Sequence, residues 1–216
     1  MIYFMKNIIL ILIISSVWSE KIPNDIRWVV KSEEYKMICN QTYDLAKYRL
    51  KEIYLNENDL SNKAIIMDLD ETVLDNSQYQ VEITKKGETF NMKSWSEWVN
   101  RSEASLVPGA KEYIDLIREF GIQLIFISNR MDKRLESTKD NMKKLDIYHD
   151  DDIYLLRLNK KDKKTVRRSE VYNGINRMSA YGQFDVIMYL GDAMGDFEDV
   201  DFYNNFIFPN PMYGKW

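Results

Sequence analysis

The chain has 216 residues, of which 45% are hydrophobic and 13% aromatic, so it can bury a sizeable core and is not intrinsically disordered. A formal net charge of -4 gives no reason to expect a nucleic-acid polymer as a partner. Cys39 is the only cysteine, which excludes a disulfide within the chain, and we expect it to be a small buried apolar residue of a helix.

Residues 1–19 have the pattern of a secretory signal peptide. Lys6 precedes an apolar run at 8–17, and Ser19 follows it as a small residue after which a signal peptidase could cut. The run is shorter than the roughly 20 residues of a membrane span, so an uncleaved anchor is the less favoured alternative. We therefore predict an exported protein, located in the periplasm, at the cell surface or secreted, whose mature domain is 20–216.

The remaining chain alternates between helical and strand-like patterns. Apolar residues recur at helical spacing among charges over 28–54, which predicts one amphipathic helix. Predicted strands cover 64–68, 122–128, 153–156, 185–190 and, as a fifth, 206–208. Predicted helices cover 108–120, 133–145 and 163–178. This alternation predicts an α/β fold, a Rossmann-like three-layer sandwich with a central, mostly parallel sheet.

The segment 78–107 interrupts this alternation. It follows the first predicted strand and holds aromatic residues among polar ones, namely Tyr79, Phe90, Trp95 and Trp98. An insertion after the carboxyl end of that strand lies over the crevice in which α/β sheets bind their ligands. We therefore predict a small, mainly helical cap that shapes substrate entry.

Two carboxylates follow the first predicted strand directly. Asp68 and Asp70 are two residues apart, at the carboxyl end of a short buried apolar run. One carboxylate of such a pair can attack a phosphorus atom while the other carries a proton, and together they can hold a divalent metal ion. This arrangement points to phosphoryl transfer.

Other predicted strands also end in residues that suit phosphate chemistry. The second strand ends at Ser128, and the fourth is followed by Asp192 and Asp196. Between them, the basic run 160–168 could supply a phosphate-binding lysine. Because parallel strands point their carboxyl ends the same way, we expect these groups to converge on one crevice. A metal ion, a lysine and a hydroxyl there would offset the charge of a phosphate ester.

Two segments resemble a known family. Residues 66–79 (IMDLDETVLDNSQY) and 187–197 (IMYLGDAMGDF) are similar to the signatures of bacterial class C acid phosphatases, the surface lipoprotein e type, in the haloacid dehalogenase-like superfamily. Shorter matches in the same order lie at 95–98, 107–110, 128–130, 162–164 and 211–216. The resemblance extends over about residues 25–216.

The resemblance implies roles for the acidic residues. Asp68 would be the nucleophile that forms an aspartyl-phosphate, and Asp70 would protonate the leaving group and then activate water. One Mg²⁺ per chain would be bound by Asp68, the backbone carbonyl of Asp70, and Asp192. Asp196 would orient metal-bound waters or the lysine.

The resemblance also implies how the substrate is held. Ser128 and Lys164 would hold the phosphoryl group, although the basic run leaves Lys163 as a competitor for the lysine's role. Asn129 is predicted as a further substrate-binding residue. Trp95 and Tyr213 would stack on either side of a nucleotide base or a phenyl ring.

One position departs from the family pattern. Ala193 stands where the signature usually has Asn or Thr, which removes a polar group beside Asp192 and is expected to weaken metal binding.

The combined interpretation is an exported, metal-dependent phosphomonoesterase, an acid phosphatase and also a candidate 5'-nucleotidase. Its partners would be small phosphate monoesters such as nucleoside monophosphates, and the interpretation leaves a homodimer open. Two alternatives remain. The same core could transfer the phosphoryl group to another alcohol, or the protein could be a secreted binding protein with weak catalysis.

Overall fold

The computed structural model describes residues 22–57, 59–199, 201 and 203–214, so the predicted signal region lies outside the described residues. A five-stranded, wholly parallel sheet forms the centre of the fold. In spatial order its strands are β5 (Ile153–Arg157), β4 (Gln123–Met131), β1 (Lys63–Met67), β6 (Asp185–Gly191) and β7 (Asn205–Ile207). A separate antiparallel ribbon pairs β2 (Leu74–Asp75) with β3 (Ser105–Leu106).

Seven α-helices accompany these strands within the described residues. They are α1 (Asn24–Lys31), α2 (Glu33–Asn56), α3 (Ser77–Lys85), α4 (Met92–Arg101), α5 (Ala110–Glu119), α6 (Leu135–Lys144) and α7 (Lys164–Asn173). None of these described helices combines the length and the apolar character needed to cross a lipid bilayer.

The central sheet is covered on both faces. Along β1, Ala64 and Ile66 join the apolar cluster that contains Val171 of α7, whereas Ile65 and Met67 join the larger cluster with α2 and α5. A strand buried on both sides reads as a continuous apolar run, because neither face is in contact with water. The predicted α/β three-layer sandwich is therefore confirmed.

The predicted helix 28–54 is in fact two helices. The backbone of Ser32 is extended, with ψ of 143°, and the chain turns there between α1 and α2. The Ser32 hydroxyl accepts a hydrogen bond from the Tyr35 N–H at 3.1 Å and so caps α2. Periodicity alone missed this break because apolar residues continue at helical spacing across it. Cys39 is fully buried in α2, as expected.

Two other predicted boundaries were wrong. The helix predicted over 163–178 ends at Asn173, because Gly174 adopts a left-handed conformation with φ of +60°, and a short 3-10 turn follows at Asn176–Met178. The second predicted strand continues to Met131, three residues beyond the expected end at 128. These extra residues include Arg130, whose side chain contacts Asp70 at the carboxyl edge of the sheet.

The predicted cap covers 78–107, and we use the name cap region for residues 76–107, which also include Asn76 just before α3. It consists mainly of α3 and α4, and the ribbon strand β3 returns the chain to the core. The Trp98 side chain is buried there, and its indole N–H donates to Asn76 Oδ1 at 2.8 Å. The exact domain boundaries remain a prediction, but the segment is helical as expected.

Candidate active site

Three neighbouring strands bring the predicted polar residues to one edge of the sheet. Asp68 directly follows β1, Ser128 lies in β4, and Asp192 directly follows β6. Because β1 lies between β4 and β6, their carboxyl ends adjoin. The Asp68 N–H donates to the Leu190 carbonyl at 2.9 Å, so the β1–β6 pairing holds the Asp68 backbone in place.

Lys164, at the start of α7, is the lysine that contacts the acidic residues at this edge of the sheet. Its Nζ lies 2.6 Å from Asp68 Oδ1 and also contacts Asp196 Oδ1, and only 9% of its side chain is exposed. Lys163 is exposed instead. Burial lowers the pKa of Lys164, but the carboxylates of Asp68 and Asp196 outweigh burial and raise it above its usual value. The ammonium is therefore retained at neutral pH.

Asp68, Asp192 and Asp196 form a group that we call the carboxylate cluster, in which one oxygen from each residue lies within 4.8 Å of the others. Burial raises the pKa of Asp68 well above its usual range, Lys164 opposes this shift, and the other two carboxylates add to it. One ammonium cannot neutralise three carboxylates, and hard oxygen ligands suit Mg²⁺. The donor set therefore fits a divalent cation.

Asp192 is held by a residue from the end of the chain. The Asn210 side-chain amide donates to Asp192 Oδ2 at 2.7 Å. Burial and the neighbouring Asp196 raise the pKa of Asp192 to about 6, although this hydrogen bond opposes the shift. Without a cation, Asp192 thus binds a proton under mildly acidic conditions.

Asp196 is packed against the end of β6. Its Oδ2 accepts a hydrogen bond from the Ala193 N–H at 3.0 Å, and a Cβ added at Gly191 would overlap the Asp196 carboxyl group. Glycine at this position therefore permits the close approach. The Ala193 side chain itself is exposed, and the polar partner of Asp192 comes from Asn210.

Asp70, two residues after Asp68, is paired with a buried arginine. Its Oδ1 accepts hydrogen bonds from Arg130 Nε at 2.8 Å and from the Asn76 amide at 3.0 Å, and Arg130 Nη2 is 2.7 Å away. Its Oδ2 is 3.5 Å from the Ser128 hydroxyl. We call Asp70 and Arg130 the Asp70 pair. Oδ2, whose one side-chain contact among the described residues is the Ser128 hydroxyl, is the less engaged of the two carboxylate oxygens.

Arg130 is anchored on several sides. It is 2% exposed and donates from Nη1 to the Thr138 hydroxyl at 3.3 Å and from Nη2 to Asn76 Oδ1 at 3.2 Å. Asn76 also contacts Trp98 of the cap region. The Asp70 pair is thus fixed by β4, α6 and the cap region together.

Ser128 and Asn129 serve different neighbours. The Ser128 hydroxyl accepts from the Arg130 N–H at 3.2 Å and borders Asp70, so it faces the site. Asn129 Oδ1 instead accepts from Arg167 Nη2 at 2.9 Å. The Arg167 guanidinium also contacts the Ser128 carbonyl. Successive residues of a strand point to opposite faces, which separates these two side chains.

Of the two predicted stacking residues, Trp95 has a contact with the site. Trp95 is partly buried in α4, and its ring centroid is 5.9 Å from the Arg130 guanidinium carbon, which places it beside the Asp70 pair. Tyr213 is 37% exposed and follows Asn210 by three residues. The stacking role of both residues remains a prediction.

Sequence reasoning noted Arg130 at the end of the second strand but assigned no role to it, nor to Asn76, Asn210 or the buried Arg167. Arg130 had a usable signal, because residues two apart in a strand share a face and Ser128 was already predicted to face the site. By the same alternation, the Asn129 side chain points away from the site, which argues against direct contact with the substrate. Asn210 had no comparable signal, since it lies in an irregular segment between Pro209 and Pro211.

Comparison with known proteins identifies the family of this chain. The family model described as HAD superfamily, subfamily IIIB (acid phosphatase) matches residues 4–216. The class C acid phosphatase from Bacillus anthracis, solved with tungstate bound, is 27% identical with a TM-score of 0.74, over 88% of this chain and 84% of that one.

Two plant proteins are more distant relatives. The stem 31 kDa glycoprotein of Glycine max is 24% identical over 190 residues, which span 85% of this chain and 70% of the relative. Vegetative storage protein 1 of Arabidopsis thaliana is 25% identical over 189 residues, which span 86% and 67% of the two chains. The family match covers nearly the whole sequence, and the solved phosphatase shares its fold. The chain therefore belongs to the acid phosphatases of HAD subfamily IIIB and is a phosphate monoester hydrolase.

Proposed function

We propose that this chain is an exported, Mg²⁺-dependent phosphatase that hydrolyses nucleoside monophosphates or aromatic phosphate esters through an aspartyl-phosphate on Asp68. The observation that carries the proposal is the carboxylate cluster with Lys164 at the carboxyl edge of the sheet. An anionic nucleophile and an anionic ester repel each other, and this site concentrates the groups that can offset that repulsion.

Asp68, Asp192 and the backbone carbonyl of Asp70 would hold one Mg²⁺, which would supply positive charge between the carboxylates and a phosphate oxygen. The Lys164 ammonium and the Ser128 hydroxyl would bind other phosphoryl oxygens. Asp196 contacts Lys164 directly and would keep its ammonium aimed at Asp68 and the ester. Together these contacts would bring the phosphorus atom next to the Asp68 carboxylate.

The reaction would then proceed in two steps. The step would begin with Asp70 protonated at Oδ2 in the substrate complex while its Oδ1 stays with Arg130. The Asp68 carboxylate attacks phosphorus, the bond from phosphorus to the ester oxygen breaks, and Asp70 Oδ2 gives that oxygen its proton. In the second step Asp70 takes a proton from water, which attacks the aspartyl-phosphate and releases inorganic phosphate and free Asp68. Arg130 would be a positioning residue, because its guanidinium occupies Asp70 Oδ1 and leaves Oδ2 for the proton.

Trp95 and Tyr213 support the assignment of the substrate class. Both aromatic rings lie in segments that border the site, Trp95 through its contact with Arg130 and Tyr213 through the loop that carries Asn210. A planar base or phenyl ring between two aromatic side chains gains stacking energy that an alkyl group does not. Asn129 would act indirectly, by holding Arg167 under the Ser128 backbone.

A second candidate, a secreted storage protein with weak catalysis, is suggested by the name of the Arabidopsis thaliana relative. The ion pair of Asp68 with Lys164 argues for catalysis, because a storage protein has no need of a buried nucleophile beside an ammonium. Turnover measurements separate the two candidates.

The test is hydrolysis of p-nitrophenyl phosphate and of adenosine monophosphate by the purified protein, after chelation and again with added Mg²⁺. We expect activity that requires the metal and a higher kcat/KM for the nucleotide than for glycerol phosphate. Metal-independent activity would contradict the proposed mechanism. Glycerol phosphate is assayed alongside, and an equal kcat/KM for adenosine monophosphate and glycerol phosphate would contradict the aromatic substrate class. An excess of acceptor alcohol tests for phosphoryl transfer, which would yield a new ester in place of inorganic phosphate.

Export is tested separately. Residues 1–25 fused to a reporter enzyme that is active only outside the cytoplasm should direct it there, and cleavage after about residue 19 would be read from the new amino terminus. A reporter that stays inactive would contradict export.

A further inference from the structure

Asn76, the residue just before α3, is fully buried and uses every hydrogen-bonding position of its side chain. Its amide group donates to Asp70 Oδ1 at 3.0 Å and to the Leu74 carbonyl at 3.1 Å. Its Oδ1 accepts from the Trp98 indole N–H at 2.8 Å and from Arg130 Nη2 at 3.2 Å. An indole and a guanidinium can only donate, and a peptide carbonyl can only accept. One orientation of the amide therefore satisfies all four partners.

The backbone of Asn76 is bound to the same part of the chain. Its N–H donates to Glu71 Oε1 at 2.9 Å, and Glu71 directly follows Asp70 in the sequence. Glu71 is itself only 1% exposed. Because Asn76 contacts residues 70 and 71 through both its backbone and its side chain, a shift of Asn76 would also shift the Asp70 carboxylate.

Trp98 reaches Asn76 from α4 of the cap region and is held in its own place. It is 2% exposed, and the Arg101 guanidinium carbon lies 4.6 Å from the centroid of its ring. Arg101 donates to both carboxylate oxygens of Glu82 in α3, at 2.7 and 2.8 Å. Such a two-pronged ion pair fixes direction as well as distance. The position of the indole N–H therefore depends on how α3 and α4 pack together.

We propose that Trp98 is a positioning residue for the acid–base carboxylate. Its indole N–H holds the Asn76 amide, and Asn76 holds Asp70 Oδ1, so that Oδ2 is aimed at the ester oxygen. The inference rests on the proposed function, in which Asp70 is the proton donor. It gives the cap region a part in proton transfer in addition to substrate entry.

A purely structural role for Trp98 would have a different consequence. If the indole only fills space in the cap region, its loss should slow the hydrolysis of all esters to the same extent. If the indole orients Asp70, the loss should concentrate on esters whose leaving oxygen needs a proton. Glycerol phosphate is such an ester, whereas the nitrophenolate of p-nitrophenyl phosphate leaves without protonation.

The experiment measures kcat/KM for these two esters at saturating Mg²⁺ in Trp98→Phe, which keeps an aromatic ring and removes the N–H. We expect kcat/KM to fall about tenfold for glycerol phosphate and less than about twofold for p-nitrophenyl phosphate. Trp28→Phe is the matched control in α1, where the indole packs edge-on against Tyr35, and should leave both values unchanged. Far-ultraviolet circular dichroism confirms that each variant is folded.

A double-variant cycle tests the route through Asn76. Asn76→Leu removes the contacts of the amide with Asp70 and with Trp98, so it should reduce kcat/KM for glycerol phosphate by more than Trp98→Phe does. Adding Trp98→Phe to Asn76→Leu should cause no further loss, because the indole N–H acts only through the missing amide. Losses that multiply in the double variant would overturn the inference.

Asp70→Asn separates this inference from the proposed function. It should slow glycerol phosphate far more than p-nitrophenyl phosphate. If it does, equal losses on the two esters in Trp98→Phe would overturn the positioning role of Trp98 alone. If Asp70→Asn slows both esters equally, the role of Asp70 as proton donor is contradicted, and the inference is overturned together with it.

Discussion

The carboxylate cluster and the Asp70 pair lie at the same edge of the sheet but differ in charge balance. In the cluster, three carboxylates share the one ammonium of Lys164. In the pair, one carboxylate meets one guanidinium, and Asn76 provides a further hydrogen bond to Asp70. The protein itself neutralises the pair, whereas the cluster keeps an excess of negative charge.

Because of this difference, the cluster requires a bound proton or cation, whereas the pair does not. Buried like charges raise one another's pKa, so the cluster binds either protons or a cation. The pair is complete without any ligand and can hold Asp70 in one orientation throughout the reaction. The effects of substitutions in the cluster should therefore vary with metal concentration and pH. The effects of substitutions in the pair on the hydrolysis rate should instead vary with the leaving group of the ester.

The largest effect is expected from Asp68→Asn, which removes the proposed nucleophile of the cluster. An amide does not attack phosphorus, so kcat should fall by about 10⁴-fold or more. Hydrolysis of p-nitrophenyl phosphate at saturating Mg²⁺ measures it. Asp115→Asn, an exposed aspartate of α5, is the matched control and should keep full activity. Retention of more than about 10% of the activity in Asp68→Asn would show that another group attacks.

Metal and proton should compete in the cluster. The folded-state pKa of Asp192 is about 6, above its unfolded value of 3.8, so without metal this group stabilises the fold most below about pH 4. That stabilisation is lost as pH rises through 6 and amounts to up to about 3 kcal/mol. Saturating Mg²⁺ should replace the proton and restore stability at neutral pH.

Urea unfolding with chelator and with Mg²⁺ measures this competition from pH 4 to 7. The informative quantity is the difference in unfolding free energy between the wild type and Asp192→Asn. It reports Asp192 together with the effect of its charge on the pKa of Asp68 and Glu71, since carboxyl groups far from the cluster contribute equally to both proteins. The raised pKa of Asp192 would be contradicted if, without metal, the unfolding free energy of the wild type increased with pH relative to that of Asp192→Asn.

The pair is tested by Arg130→Met. Loss of the guanidinium frees Asp70 to rotate, so hydrolysis of alkyl phosphates, whose leaving oxygen needs a proton, should slow about 100-fold. The loss on p-nitrophenyl phosphate should be clearly smaller, because nitrophenolate leaves without protonation. Equal losses on both esters would mean that Arg130 only supports the fold. Arg134→Met, at an arginine that contacts Asn100 of the cap region, is the control.

The smallest effect is expected from Asn210→Ala, which leaves the cluster intact but removes the hydrogen bond that orients Asp192. Partners of metal ligands typically contribute 10–100-fold in affinity, and we expect about a tenfold weaker apparent Mg²⁺ affinity with kcat unchanged at saturation. Activity titrated against Mg²⁺ measures it. An unchanged metal requirement would show that Asp192 is oriented by other contacts.

Local patterns were enough for much of the fold. The strand that ends at Asp68 was predicted within one residue, because a short apolar run before paired carboxylates is a strong local signal. Helix ends were less predictable. Ser32 splits the first predicted helix, and Gly174 ends α7 early, through backbone conformations that compete with an apolar periodicity continuing across them.

The basic run 160–168 shows where local reasoning fails. A run of charges is ordinarily a solvated helix face, yet Arg167 and Arg168 are buried. Lys164 rather than Lys163 turns toward Asp68, because each residue of a helix rotates by about 100° and the packing of α7 on the sheet sets its phase. Sequence alone could only leave the two lysines open.

The sequence by itself therefore determined the α/β class, the order of the strands along the chain and the acidic residues that follow them, because each rests on short-range periodicity and spacing. Only the tertiary structure decided which groups meet. The pairing of Asp70 with Arg130 follows from β1 and β4 being neighbours in the sheet, and the contact of Asp192 with Asn210 depends on where the end of the chain returns. Such contacts depend on sheet order and on long-range packing, which no local pattern encodes.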